Sequence, residues 1–70
     1  MYTDRHSLHD WQALIRAEYE ELPDLQLTQS QVEVLWTLDS ATAEQILRAL
    51  VRTGFLKQTR RGKYVRTTAG

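Results

Sequence analysis

Apolar positions in the chain recur first at helical spacing and then, after Gly54, at a spacing of two. Leu8, Trp11, Ile15, Tyr19 and Leu22 follow steps of three and four, which is one face of a helix, and Leu14 widens that face. Ser7 and Asp10 have capping-box spacing at its start, with a short carboxylate standing for the usual Glu or Gln. Pro23 disfavours helical geometry at Leu22 and closes the element. Asp24 to Leu27 alternates in the manner of a brief strand that buries Leu25 and Leu27. Thr28 and Gln31 form a capping box with the preferred residue types, so a second helix is expected from Gln29 to Thr37, burying Val32, Leu35 and Trp36. Leu38-Asp39-Ser40 reads as a tight corner in which either Asp39 or Ser40 can cap the next helix.

The third helix has the clearest pattern. Ala43, Ile46, Leu47, Leu50 and Val51 fit the i, i+3, i+4, i+7, i+8 template, and Gly54 is placed to end the helix in the left-handed region. Its other face holds Ala41, Thr42, Gln45, Arg48, Ala49 and Arg52. Phe55 to Thr59 and Lys63 to Arg66 then read as two strands, joined by Arg60-Arg61-Gly62, with Gly62 able to take a positive φ in the loop. Residues 1–6 and 67–70 are expected to fray. The architecture predicted is a single α+β domain, mainly α, over residues 1–70.

Charge sharpens this picture. Residues 1 to 39 carry eight carboxylates against Arg5 and Arg16, whereas residues 40 to 70 carry Arg48, Arg52, Lys57, Arg60, Arg61, Lys63 and Arg66 against Glu44 alone. The formal net charge of zero therefore conceals halves at minus six and plus six. A basic half set on a helix and the hairpin after it is a candidate footprint for a polyanion.

The order helix, short strand, helix, tight corner, helix and two-stranded hairpin resembles the winged helix-turn-helix fold over Asp10 to Arg66. The resemblance rests on Leu27-Thr28-Gln29-Ser30-Gln31, on Leu35-Trp36-Thr37-Leu38-Asp39 and on the run Leu47, Leu50, Gly54, Phe55, Leu56, followed by Gly62-Lys63-Tyr64. That run is similar to the L-x-x-L-x-x-x-G-F-L stretch joining recognition helix to wing in small bacterial transcription regulators and in stand-alone winged-helix proteins. The resemblance implies double-stranded DNA as partner, read by the third helix in the major groove and held along its backbone by the hairpin. Ala41, Thr42 and Gln45 would then meet base edges, with Gln45 suited to adenine and Arg48 to guanine. Arg52, Lys57 and Arg66 would meet phosphates, and the turn with Arg60, Arg61 and Lys63 would lie along the phosphate backbone or reach into the minor groove. A small transcriptional regulator or accessory factor follows as the expected role. The alternative is a winged-helix module that contacts another protein and no DNA, since fold alone does not fix function.

Seventy residues give a marginal core, so a second copy would help both stability and DNA specificity. Trp11, Ile15 and Tyr19 read first as core. Surface left over on that stripe would make a homodimer contact. Catalysis is not expected: no glycine-rich phosphate loop exists, and both histidines lie near the N-terminus. His6, His9 and Asp10 have a metal-like spacing that no second cluster completes, so no metal and no other cofactor is expected. There is no cysteine and no apolar run of membrane-spanning length, and the first residues lack signal-peptide character, giving a cytoplasmic expectation.

Overall fold

The computed structural model describes residues 8–67. Among these residues three helices, α1 (Leu8–Glu21), α2 (Gln29–Trp36) and α3 (Ser40–Arg52), pack with three short strands, β1 (Leu27–Thr28), β2 (Leu56–Gln58) and β3 (Lys63–Arg66). The fold is α+β and mainly α. The antiparallel sheet has the order β1-β3-β2, so the last strand enters between the other two. Leu27 pairs with Tyr64 on one side of β3, and Leu56, Lys57 and Gln58 pair with Arg66, Val65 and Tyr64 on the other.

The core is the meeting point of these elements. Ile15 and Tyr19 from α1, Val32 from α2, Ala43, Ile46, Leu47 and Leu50 from α3, and Leu27 and Leu56 from the sheet are buried together. Trp11, Leu25, Trp36, Leu38, Phe55 and Tyr64 close its edges. Tyr19 is the largest fully buried side chain. Its hydroxyl donates to the Tyr64 carbonyl at 2.7 Å, and its ring meets Phe55 edge to face at 6.4 Å between centroids. Burial pushes the Tyr19 phenol up to about 12, with a backbone hydrogen bond at Leu27 acting in the opposite sense.

Each helix boundary has a local cause. The Thr28 hydroxyl accepts from the Gln31 N–H at 3.2 Å while the Gln31 side chain accepts from the Thr28 N–H at 2.9 Å, the capping box expected from the sequence. Two helices end in the same Schellman pattern. After α3, Phe55 N–H donates to Leu50 and Gly54 N–H to Val51, with Gly54 at a φ of 85°. After α2, Leu38 N–H donates to Glu33 and Thr37 N–H to Val34. Here the left-handed position is filled by Thr37, at a φ of 53°, where a β-branched side chain is strained. Asp39 occupies the N-cap position of α3 without a side-chain cap bond.

Several expectations need correction. Leu25 lies before β1 and not in it, because the strand begins only at Leu27 and runs directly into the α2 cap. Leu35 is 59 % exposed, since α2 turns only Val32 and Trp36 toward the core. Leu14 and the ends of the α1 stripe, Leu8 and Leu22, are exposed, and so is Val51 on α3. Thr67 is not loose: its N–H donates to Phe55 at 3.1 Å and its hydroxyl to Gly54 at 2.7 Å, tying the end of β3 to the exit of α3. The proposed Ser7 cap and the fraying of residues 1–6 and 68–70 lie outside the described residues.

Candidate functional site

The exposed side of α3 follows from its core side. Burial of Ala43, Ile46, Leu47 and Leu50 fixes the helix rotation. At 100° per residue this sends Ala41, Gln45, Arg48 and Arg52 to the opposite side, and all four are exposed. Thr42 sits half-buried on one flank, and Glu44 and Val51 lie on the other. The DNA-reading set expected on this helix is therefore a contiguous outward stripe with Thr42 at its margin.

Arg48 is not a free cation. Its guanidinium donates to the Glu44 carboxylate one turn back, at 2.6 Å, with both side chains largely exposed. A solvated pair of this kind adds little stability. Its consequence is directional: it holds one edge of the Arg48 fork and offsets its charge.

The hairpin is built to project its turn. Gly62 N–H donates to Thr59 at 2.9 Å, Thr59 N–H donates to Lys63 at 2.8 Å, and Gly62 adopts a φ of 83°. That reversal leaves Arg60 and Arg61 exposed at the tip. The strands alternate between two faces, and residues paired across the ladder share one. Leu27, Leu56, Gln58, Tyr64 and Arg66 consequently share the helix-facing side, with Lys57, Lys63 and Val65 on the outer side.

These two parts meet across a groove of about 290 Å³ lined by Glu44, Arg48 and Val51 of α3, Gln58 and Tyr64 of the hairpin, and Gln29 of α2. Gln29 bridges α2 to the start of α3, its amide donating to Glu33 at 3.1 Å and to the Ser40 carbonyl at 3.3 Å. The groove joins the Arg48 flank of α3 to the strand residues just before and after the turn that carries Arg60 and Arg61. Its walls are hydrogen-bonding groups of both senses with one ion pair, suited to an edge rich in donors and acceptors. Sequence reasoning missed Gln29, Gln58 and Tyr64 as wall residues. Only strand register could have revealed them, by putting Gln58 and Tyr64 opposite each other on the inner face.

The basic residues do not all share this surface. Arg66 lies over the Phe55 ring at 5.1 Å from its centroid, and Arg16 of α1 lies over the same ring at 4.6 Å. Arg66 is thus engaged with a partly buried aromatic beside α1, in a cation–π contact worth about 0.5–1 kcal/mol at an exposed site. Lys57 is exposed and Lys63 half-buried, both on the outer sheet face. Arg48, Arg52, Arg60 and Arg61 remain as the outward set on α3 and the turn, flanked by the two lysines. The carboxylates Glu20 and Glu21 sit on the outward side of α1, which packs on the buried side of α3.

Ile15 and Tyr19 are fully buried within one chain, so of the three α1 residues considered for a dimer contact only Trp11 keeps accessible surface. His9 is exposed and lines a shallow hollow on α1 with Gln12, Ala13, Arg16 and Glu20. Among the described residues no group of three or more His, Cys, Asp or Glu side chains could hold a metal ion. No helix among them is long and apolar enough to cross a membrane. In comparison with known proteins the chain matches no family model, no curated protein and no solved structure.

Proposed function

We propose that the chain is a winged helix-turn-helix domain that binds double-stranded DNA and serves as a small transcription regulator or accessory factor. The observation that carries this reading is the groove, in which the Arg48 flank of α3 faces the inner side of a hairpin whose turn presents Arg60 and Arg61. A duplex laid against that face brings the stripe Ala41, Gln45, Arg48 and Arg52 to base edges or adjoining phosphates. The hairpin turn falls on the backbone of the same duplex. Phosphate contacts supply affinity, and the α3 stripe supplies what base discrimination there is.

The Glu44–Arg48 pair refines the roles. An arginine steadied along one edge presents its remaining donors in a defined direction, which favours guanine reading over loose phosphate contact. Glu44 itself repels phosphate, so its flank of α3, which faces the hairpin across the groove, adds no backbone contact.

The reading predicts a salt dependence. With Arg52, Lys57, Arg60, Arg61 and Lys63 near the backbone, log K against log salt should slope at about −4 to −5. Fluorescence-anisotropy titration of a labelled duplex across a salt series measures this. A flat dependence, or no duplex binding at low salt, would remove the proposal. One observation favours an added protein contact, the apolar outward face of α2, and it leads to the following inference.

A further inference from the structure

We propose that the outward face of α2, with the hollow between it and β1, is the surface on which two copies of this chain pair about a two-fold axis. Val34 is 78 % exposed and Leu35 59 % exposed, side by side on the helix. Together with Ser30, Gln31 and Leu27 they line a broad apolar hollow. Among the described residues the other exposed large hydrophobics, Leu8, Leu14, Leu22 and Val51, are dispersed over α1, the turn after it and the Glu44 flank of α3. A grouped apolar surface of this kind marks a contact site, whereas dispersed ones need no explanation.

Charge decides what covers it. Across a two-fold axis each patch meets its own copy, so like charges confront one another. The outward side of α1 would set Glu20 and Glu21 against the same carboxylates, with Arg16 of that helix drawn over the Phe55 ring. The outward side of α3 and the hairpin turn would set Arg48, Arg52, Arg60 and Arg61 against the same cations. Among the described residues, those lining the α2 hollow carry no charge. The Ser30 hydroxyl both donates and accepts, and the Gln31 amide, whose oxygen is held by the Thr28 N–H, keeps its NH₂ donors, so their rim can bond to an identical rim. A second copy therefore fits this face without repulsion. Pairing through α2 also leaves the α3 stripe and the hairpin turn uncovered on both copies. The inference does not depend on DNA binding and is tested without DNA.

The experiment is sedimentation velocity of the whole chain at concentrations from about 10 µM to about 500 µM, at about 0.15 M and about 0.5 M NaCl. The expected result is a concentration-dependent monomer–dimer equilibrium that is the same in both salts. Val34→Asp and Leu35→Asp should each shift the dissociation constant by at least about tenfold by placing like charges face to face. Leu14→Asp, on the outward side of α1, should leave it unchanged. Ser30→Asp provides a second probe of the same face at an exposed polar position, and thermal melts by circular dichroism confirm that each variant is folded. A parent that stays monomeric throughout would overturn the proposal. So would a dimer that survives folded Val34→Asp or Ser30→Asp. Association that vanishes at high salt or grows past the dimer would replace it with a head-to-tail contact between the acidic and basic halves.

Discussion

Replacing Arg60 and Arg61 together by alanine is expected to weaken duplex DNA binding by roughly 10- to 100-fold at about 0.1 M salt and to flatten the salt slope by about two. Both side chains are exposed on a turn whose geometry is set by Gly62 and by the Thr59 hydrogen bonds, so their removal leaves the hairpin intact. A phosphate contact carries no sequence information, and the loss should be uniform across duplexes of different sequence. Arg48→Ala should behave differently. It removes a fork steadied by Glu44, so it should compress the spread of affinities over a randomised duplex library by about 1–3 kcal/mol at the contacted position. Anisotropy titrations of both variants against that library check the contrast. Equal and sequence-independent losses would place Arg48 on the backbone as well.

The largest effect on the fold is expected at Tyr19. Tyr19→Ala empties the centre of the core, at a cost of about 3–5 kcal/mol. A domain of this length has about 4–10 kcal/mol in all, so this variant should lose most of its cooperative melt, and duplex binding with it. Tyr19→Phe keeps the ring and its contact with Phe55 but leaves the Tyr64 carbonyl without its donor, at a cost of about 1–2 kcal/mol near neutral pH. The two proteins should differ again in alkali. The phenol, ordinarily at 10.0, is raised to about 12 by burial, so the folded chain keeps a proton that the unfolded chain loses between those values. The stability tied to neutral Tyr19 is whole below about pH 10 and declines as pH rises toward 12, by about 2–3 kcal/mol in total. Phenylalanine has no proton to lose. Urea melts at about pH 8 and about pH 11 should show the advantage of the parent shrinking by about 1 kcal/mol. An advantage that stays constant would mean that the hydroxyl reaches water.

What the sequence made legible follows from how many turns each element has. In α3, thirteen residues make more than three turns that carry the apolar template from Ala43 to Val51, and the Leu50–Phe55 exit carries its own glycine, so rotation and end were both readable. In α2, eight residues make barely two turns. Val32, Leu35 and Trp36 fit a helical face on spacing alone, yet the corner at Thr37 and the packing of Trp36 rotate Leu35 outward. The apolar face that we assign to self-pairing was hidden by that same ambiguity. Strand alternation located the hairpin, but the partners of β3 on both sides became visible only with the register. Arg66 illustrates the consequence. As one of seven cations it read as a phosphate ligand, and its pairing with Leu56 turns it to the inner face, where Phe55 receives it. The groove walls at Gln29, Gln58 and Tyr64 come from three elements far apart in the chain, and no local pattern joins them.

The central claim is that the α3 stripe and the hairpin turn form one face for a duplex. Amide chemical-shift mapping of the isotopically labelled chain during titration with a short duplex tests it most directly. Shifts are expected to concentrate at Ala41 to Arg52 on the outward side and at Thr59 to Lys63, fading with added salt, while the amides of α1 stay in place. Shifts centred on α1, or none at low salt, would contradict it.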